Sequence, residues 1–290
     1  MRLYLLLARR VPPVPSPLLV DVAARLRARG FEVESGTPEE MLVESDRLTP
    51  SHDLYVLKSH TELALSMAAS LHARGARVLN PVPATAAAHD KVLAVQRLRA
   101  AGVPVPRTFV TGDVHRLREL LEERAPLVVK PVRGYRGIGV HVLQAPGDVS
   151  TLPSLNGPVM VQDLVAGPGE DLKVYVVGQR VWAVHKRFAA ASFSLPGSPA
   201  PVPREVEAIA LRAGTACGLG LFGLDVIESP DGPVVVDLNA FPGYKGCEGV
   251  AGPMAAYIAD YARNGRELPL PPLEPVPDAA SLTAVLPPAV

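Results

Sequence analysis

The sequence predicts an α/β protein that opens on a small parallel sheet with covering helices. Three observations predict it. Strand-length apolar runs alternate with helical periods over residues 1–80, a β-α-β rhythm that implies parallel pairing. At 290 residues and 48% apolar, the chain can bury a sizeable core and is long enough for two or three lobes sharing interfaces. Late in the chain, two apolar runs flank Ser229-Pro230-Asp231-Gly232, a strong turn signal that predicts a hairpin over residues 223–238.

The elements follow in order. Residues 3–7 form a buried-strand run. Residues 18–29 have helical periodicity and stop at Gly30, a C-cap signal. Residues 31–34 and 53–57 read as strands, 62–74 as a helix ending at Gly75, and 77–79 as a further strand. Asn80-Pro81 and Pro83 punctuate the chain, and one helix is expected from 85 to 101, with His89 and Asp90 as polar residues near its start. A proline-spaced GVPVPRTFV enters a strand; 117–124 is helical, and 127–131 is a strand feeding a glycine-rich turn. Two strands are expected between 159 and 183, around a loop at Gly167 and Gly169. Residues 188–203 are small and Ser/Ala/Pro-rich, the signature of a mobile loop. A helix over 205–217, the hairpin strands 223–228 and 233–238, and a closing helix over 253–264 complete the body. Beyond Gly265 the proline-rich composition predicts a disordered tail. The expected division is therefore 1–80, 81–160, 161–265 and a tail at 266–290.

Composition excludes several function classes. Lys+Arg and Asp+Glu are both 29, which removes any whole-protein argument for nucleic acid or an anionic membrane as partner. The two cysteines, Cys217 and Cys247, lack metal-type spacing and are too few for a disulfide framework, so a reducing, cytoplasmic setting is expected. The opening MRLYLLLARRVPP has a short apolar run, two following arginines and no small-residue cleavage site; it reads as a first strand rather than a signal peptide. No apolar stretch approaches the ~18 residues that span a bilayer.

The sharpest chemical signal is Asp225, Asp237 and Asn239. Strand alternation puts 237 and 239 on one face, and the short turn brings Asp225 opposite them. Three oxygen-bearing side chains suit Mg2+, with Mn2+ as a possible substitute; the ion completes its shell with water and phosphates. Unpaired carboxylates inside LFGLDVIE and PVVVDLNAF would be costly without a cation. Next comes LVVKPVRGYRGIGV: Lys130 ends an apolar strand, and Gly134, Gly137 and Gly139 follow. A cation beside exposed backbone N–H groups can hold a polyphosphate, although an ordinary hairpin turn has the same composition. Neither a Walker A spacing nor a dinucleotide fingerprint is present. Lys91, taken alone, is a solvated helix lysine. The run Gln162, Asp163, Leu164 and Val165 can offer backbone groups to an adenine edge, and Asp171 can accept from ribose hydroxyls. Lys186 and Arg187 end a strand and suit a phosphate or an anionic substrate, or are simply a charged strand end. Arg9, Arg10, Lys58 and Lys245 are candidates for a basic acceptor pocket. Trp182 and Tyr175 read as packing residues.

Taken in order, these elements resemble the ATP-grasp superfamily between Asn80 and Gly246. The resemblance implies ATP held between two α+β lobes, with an N-terminal domain preceding them. It implies that Lys91 and Lys130 contact the α- and β-phosphates while the 134–139 loop covers the triphosphate. Gln162, Asp163 and Leu164 would then be the adenine hinge, Asp171 the ribose acid, and Asp225, Asp237 and Asn239 the Mg2+ ligands. Residues 91–107 and RGYRGIGV are similar to RimK-like carboxylate–amine ligases, which activate an acid as acyl phosphate. LKVYVVG, the later SLPG and VVDLNAFPGYKG look like the inositol trisphosphate kinase family, where Lys58 would match a substrate-binding lysine. The glycine loop lacks the Ser-His of those kinases; His141 falls late and reads as a strand residue. The Arg…Asn pair of the ligases is replaced by Ala191-Ser192-Phe193-Ser194, and Asp237 stands where most ligases have Glu. The resemblance implies an ADP-forming ligase acting on a small anionic substrate. A hydroxyl kinase is the alternative, and a nucleotide-binding pseudoenzyme a third that the complete ligand set opposes. Lys130, Lys186 and Arg187 are the expected catalytic cations.

Overall fold

A computed structural model describes residues 1–134, 137–153, 157–187, 196–265 and 268–273. Its strands form three sheets. The first is parallel, in the order β2-β1-β3-β4, from β1 (Arg2–Leu7), β2 (Glu32–Gly36), β3 (Leu54–Lys58) and β4 (Val78–Leu79). Helices α1 (Pro17–Arg27) and α2 (Glu62–Ala73) cover opposite faces, as period-2 alternation dictates. Leu3, Leu5 and Val56 pack with Val22 and Leu26 of α1, whereas Leu6 and Leu57 pack with Ala64, Ala68 and Leu71 of α2.

The helix expected over 85–101 is two helices, α3 (Val82–His89) and α4 (Lys91–Ala100). Asp90 separates them at φ −95, ψ 104, and its carboxylate accepts hydrogen bonds from the Val92 and Leu93 amides. An aspartate that caps the following turn competes with helix continuation. That break places Lys91 at the first turn of α4.

The second sheet is antiparallel, in the order β5-β8-β6-β7, from β5 (Thr108–Thr111), β6 (Leu127–Pro131), β7 (His141–Leu143) and β8 (Val159–Asp163). Helix α5 (Leu117–Arg124) covers it through Leu117 and Leu121 against Leu127, Val129 and Val161. The third sheet runs β11-β10-β9-β12-β13. Its strands are β9 (Glu170–Val177), β10 (Arg180–Arg187), β11 (Ser198–Ala200), β12 (Leu221–Ser229) and β13 (Gly232–Ala240). Helix α6 (Arg204–Cys217) packs on one face with α3 and α4. Helix α7 (Ala251–Asn264) joins the other face to the parallel sheet, where Met254 and Ile258 meet Leu3, Leu54, Val177 and Leu221. The buried Asn80 side chain ties the same units: it donates to the Leu221 carbonyl at 2.7 Å and accepts from the Gly220 and Leu221 amides at 2.9 and 3.0 Å.

Three further expectations change. Residues 159–187 hold three strands rather than two, because β10 runs on to Arg187 as the antiparallel partner of β9. Of the loop expected at 188–203, residues 188–195 lie outside the described residues, and Ser198–Ala200 is an edge strand paired to β10. Small residues and an edge proline are compatible with that position. The chain after Gly265 is not uniformly a loose tail: Leu268 and Leu270 pack on the cores and Arg97 donates to the Pro271 carbonyl at 2.6 Å. Proline-rich composition forbids regular helix or sheet, not packing. Residues 266–267 and 274–290 lie outside the described residues. Cys217 and Cys247 are free thiols. Among the described residues, no helix is long and apolar enough to cross a membrane.

Candidate functional site

The three sheets surround a cavity of about 2530 Å³. Its floor is the β12–β13 hairpin, and turn chemistry sets that hairpin's register. Ser229 Oγ donates to the Gly232 carbonyl at 2.6 Å, and Gly232 sits at φ +113, a conformation that favours glycine. From the turn the ladder runs to Val226 opposite Val235; a one-residue bulge then shifts it, so that Asp225 is opposite Asp237 and Gly223 opposite Asn239. The three expected ligands therefore share one face and line the cavity.

Each carboxylate is held by a lysine. Lys91 Nζ lies 2.5 Å from Asp237 Oδ1. Lys173 Nζ lies 2.5 Å from Asp225 Oδ2 and 2.7 Å from Asp171 Oδ2. Lys130 donates to Gln162 Oε1 at 2.8 Å and to the Val236 carbonyl at 3.0 Å. Burial works to raise the Asp237 carboxyl, but Lys91 and Lys130 outweigh it and hold it below its usual value. Burial opposes the Lys173 ammonium, yet Asp225 and Asp171 hold it charged well above the ordinary range. Burial, with Asp225 nearby, raises Asp171 against the pull of Lys173. Burial also lowers Lys130, which Asp237 counteracts. The donor set fits a magnesium ion: two carboxylates and an amide oxygen on one face, in a pocket where lysines stand in as the carboxylates' counter-charges.

Sequence reasoning did not single out Lys173. Its signal was available, since Asp171 and Lys173 are two apart on β9 and so share a face. Asp171 itself, 7% exposed, stands with these charges, bonded to Lys173. Gln162 is 1% exposed, with its side chain between Lys130 and Thr108. The Asp163 carboxylate is gripped by Arg124 at 2.6 and 3.1 Å. The Asp163 and Leu164 amides already donate to the Arg107 and Pro126 carbonyls. Residues 162–167 all line the cavity along this edge.

The glycine loop is anchored where Lys91 N donates to the Val132 carbonyl at 3.1 Å. Gly134 and Gly137 line the cavity, and Gly139, at φ +74, packs on Pro131. Tyr135 and Arg136 lie outside the described residues. Lys186 is the register partner of Asp171 and lines the cavity; burial and then Lys173 lower its pKa. Arg187 is exposed at the strand end, at the cavity's edge. The residues Arg9, Arg10, Lys58 and Lys245 all line the same cavity.

Comparison with known proteins bears on the family and the fold. A probable alpha-L-glutamate ligase of Shewanella loihica is 33% identical over 193 residues, which is 61% of this chain and 64% of that protein. The chain thus spans somewhat less than two thirds of that relative's length. A second, from Thioalkalivibrio sulfidiphilus, is 35% identical over 65% of this chain and 69% of its own. Among solved structures, D-cycloserine synthetase DcsG superposes with a TM-score of 0.72 at 20% identity, covering 91% of this chain and all of that one. A RimK-domain ATP-grasp protein from Sphaerobacter thermophilus gives 0.70 at 22%, covering 89% of this chain and all of its own. These two likenesses show the fold, and of the two resemblances in the sequence the matched family is the ligase-like one. Residues 88–261 match the RimK-like ATP-grasp domain, more than half of the chain, and the chain belongs to the RimK-like ATP-grasp family.

Proposed function

We propose that this chain is a Mg2+- and ATP-dependent ligase that activates a carboxylate as an acyl phosphate and passes it to an amine. ADP and inorganic phosphate are the by-products. The observation that carries the reading is the charge cluster on the cavity floor. Lys91, Lys130 and Lys173 face Asp171, Asp225 and Asp237 in a formally balanced set. A triphosphate entering such a set can take over the lysines and release the carboxylates to a metal, without leaving a buried charge unpaired.

In this reading Lys91 and Lys130 bind the α- and β-phosphates, the loop of Gly134, Gly137 and Gly139 offers amides to the triphosphate, and the edge at residues 162–167 receives the adenine. Asp225, Asp237 and Asn239 hold Mg2+, with Mn2+ as a substitute; when bound, the ion neutralises phosphate charge and fixes the leaving group. The PsnB ligase, similar in fold, is known in complex with Mg, ADP and a minimal precursor variant. Lys173, Lys186 and Arg187 are the cations on the transfer side, where fixed positive charge stabilises the moving phosphoryl group. The acid arrives as a carboxylate and needs no base: its oxygen bonds to the γ-phosphorus as the bond to the ADP oxygen breaks. The amine then attacks the acyl carbon, phosphate leaves, and the amine's proton goes to solvent. Residues 81–160 and 161–265 act as the two ATP-binding lobes, and 1–80 faces the small anionic acceptor. The free thiols and the need for ATP fit a cytoplasmic enzyme.

The test is incubation with Mg2+, ATP and pools of acids and amines. Phosphate release that requires both pools supports the ligase. ADP whose phosphate ends in a hydroxyl ester contradicts it.

A further inference from the structure

A row of polar side chains crosses the second sheet to Lys130. Strand β8 lies between β5 and β6, and Gln162 is the register partner of Thr108 on one side and of Val128 on the other. Directly paired residues point to the same face. Thr108 and Gln162 therefore share a face with Val128 and, two residues on, with Lys130. Their side chains bridge the row. Lys130 Nζ donates to Gln162 Oε1 at 2.8 Å. Gln162 Nε2 donates to Thr108 Oγ1 at 3.1 Å, and Thr108 Oγ1 donates to the Pro106 carbonyl at 2.8 Å. Thr108 is two strand spacings, about 10 Å, from the strand of Lys130, and it stands outside the cavity lining.

The direction of every bond in this chain is forced from its ends. An ammonium can only donate, and a carbonyl can only accept. With its proton committed to Pro106, the Thr108 oxygen can only accept. That turns the Gln162 NH2 towards Thr108 and the Gln162 oxygen towards Lys130. The far end is itself anchored: Arg99, in the last turn of α4, donates to the same Pro106 carbonyl at 2.7 Å, and a proline backbone has its φ set by the ring. Gln162 is 1% exposed, so water cannot take the place of a lost partner.

The near end is where this matters. A lysine ammonium has three N–H groups. Gln162 takes one and the Val236 carbonyl, at 3.0 Å, takes a second. The third has no acceptor among the described residues, and Lys130 lines the cavity. Two fixed bonds aim the third. A flipped Gln162 would meet the ammonium with its own NH2, remove one of those two anchors and let the remaining N–H groups swing.

We infer that Thr108 is a positioning residue for Lys130: its hydroxyl, acting through Gln162, sets which end of the amide the ammonium meets and so where the third N–H points. That a phosphate oxygen receives this N–H rests on the nucleotide reading; the relay rests on the hydrogen bonds alone.

The experiment compares the full chain as wild type, Thr108→Val and Thr108→Ser. Valine keeps the shape and loses the hydroxyl, whereas serine keeps the hydroxyl. One readout is the Lys130 Cε–Hε resonance of the free protein by carbon-13 NMR, identified as the signal missing from Lys130→Met. The other is the dissociation constant of AMPPNP with Mg2+ by isothermal titration. Thr108→Val should move the resonance and weaken AMPPNP about threefold or more, and Thr108→Ser should hold both at wild-type values. A resonance unmoved by Thr108→Val, an AMPPNP affinity unchanged beside a moved resonance, or Thr108→Ser as impaired as Thr108→Val would each overturn the positioning role. AMPPNP that fails to bind wild type would sink the nucleotide reading alone, and the Lys130 resonance then decides the relay.

Discussion

Lys173→Met removes the ammonium that Asp171 and Asp225 share, at 2.7 and 2.5 Å. The three side chains are 14, 9 and 19% exposed, so water cannot fully replace the lost cation. Breaking a buried pair by removing one partner costs about 3–5 kcal/mol. The lower end applies here, because Lys186 lies across the ladder from Asp171 and Met fills most of the lysine stem's volume. Urea unfolding in metal-free buffer should therefore show a loss of about 3 kcal/mol at unchanged m-value. The same variant leaves two carboxylates free for a divalent ion. Mg2+ without nucleotide should then stabilise it, by about 1.4 kcal/mol at ten times its dissociation constant. Wild type, whose carboxylates are already paired, should respond far less. A loss below about 1 kcal/mol, or equal Mg2+ responses, would refute the idea that lysines hold the metal carboxylates before nucleotide arrives.

Asn80→Leu should cost about 3 kcal/mol or more in urea unfolding, since buried groups at Gly220 and Leu221 lose their partner at about 1–3 kcal/mol each; a near-neutral variant would contradict that role. Thr61 caps α2 by accepting from the Ala64 amide at 3.2 Å, so Thr61→Ala should lose about 1 kcal/mol in the same assay. His89 is lowered to about 4 by burial and by His60, Arg133 and Lys91, whereas an unfolded histidine titrates near about 6.5. Between those values the unfolded chain binds a proton that the folded chain refuses, so stability falls as pH drops from about 6.5 towards 4. His89→Gln should flatten that part of the stability–pH curve, and an unchanged slope would assign it to other groups.

What the sequence made legible follows from which forces are local. The β12–β13 hairpin could be read because Ser229, Asp231 and Gly232 encode their own turn, and alternation then puts Asp237 and Asn239 together. The α3–α4 break was hidden, since an aspartate inside a helical period gives no sign of whether it caps or merely sits at the surface. Alternation also assigned a face to Asp171 without saying which partner stands there; β9 pairs with β12, and that long-range register brings Lys173 and Asp171 to Asp225. Gln162 shows the same limit. Its strand was recognisable, but only the pairing of β8 with both β5 and β6 shows that its side chain orients Lys130. Leu268 and Leu270 pack through tertiary fit alone, which proline-rich composition masks.

The central claim is that an acid's oxygen attacks the γ-phosphorus. The direct measurement labels both carboxylate oxygens of a turnover-supporting acid with oxygen-18 and follows the label into products by mass spectrometry. The account predicts one labelled oxygen in each inorganic phosphate released, ADP as the nucleotide product, and no turnover by Asp237→Asn. Label appearing in AMP, or phosphate released without label, would contradict it.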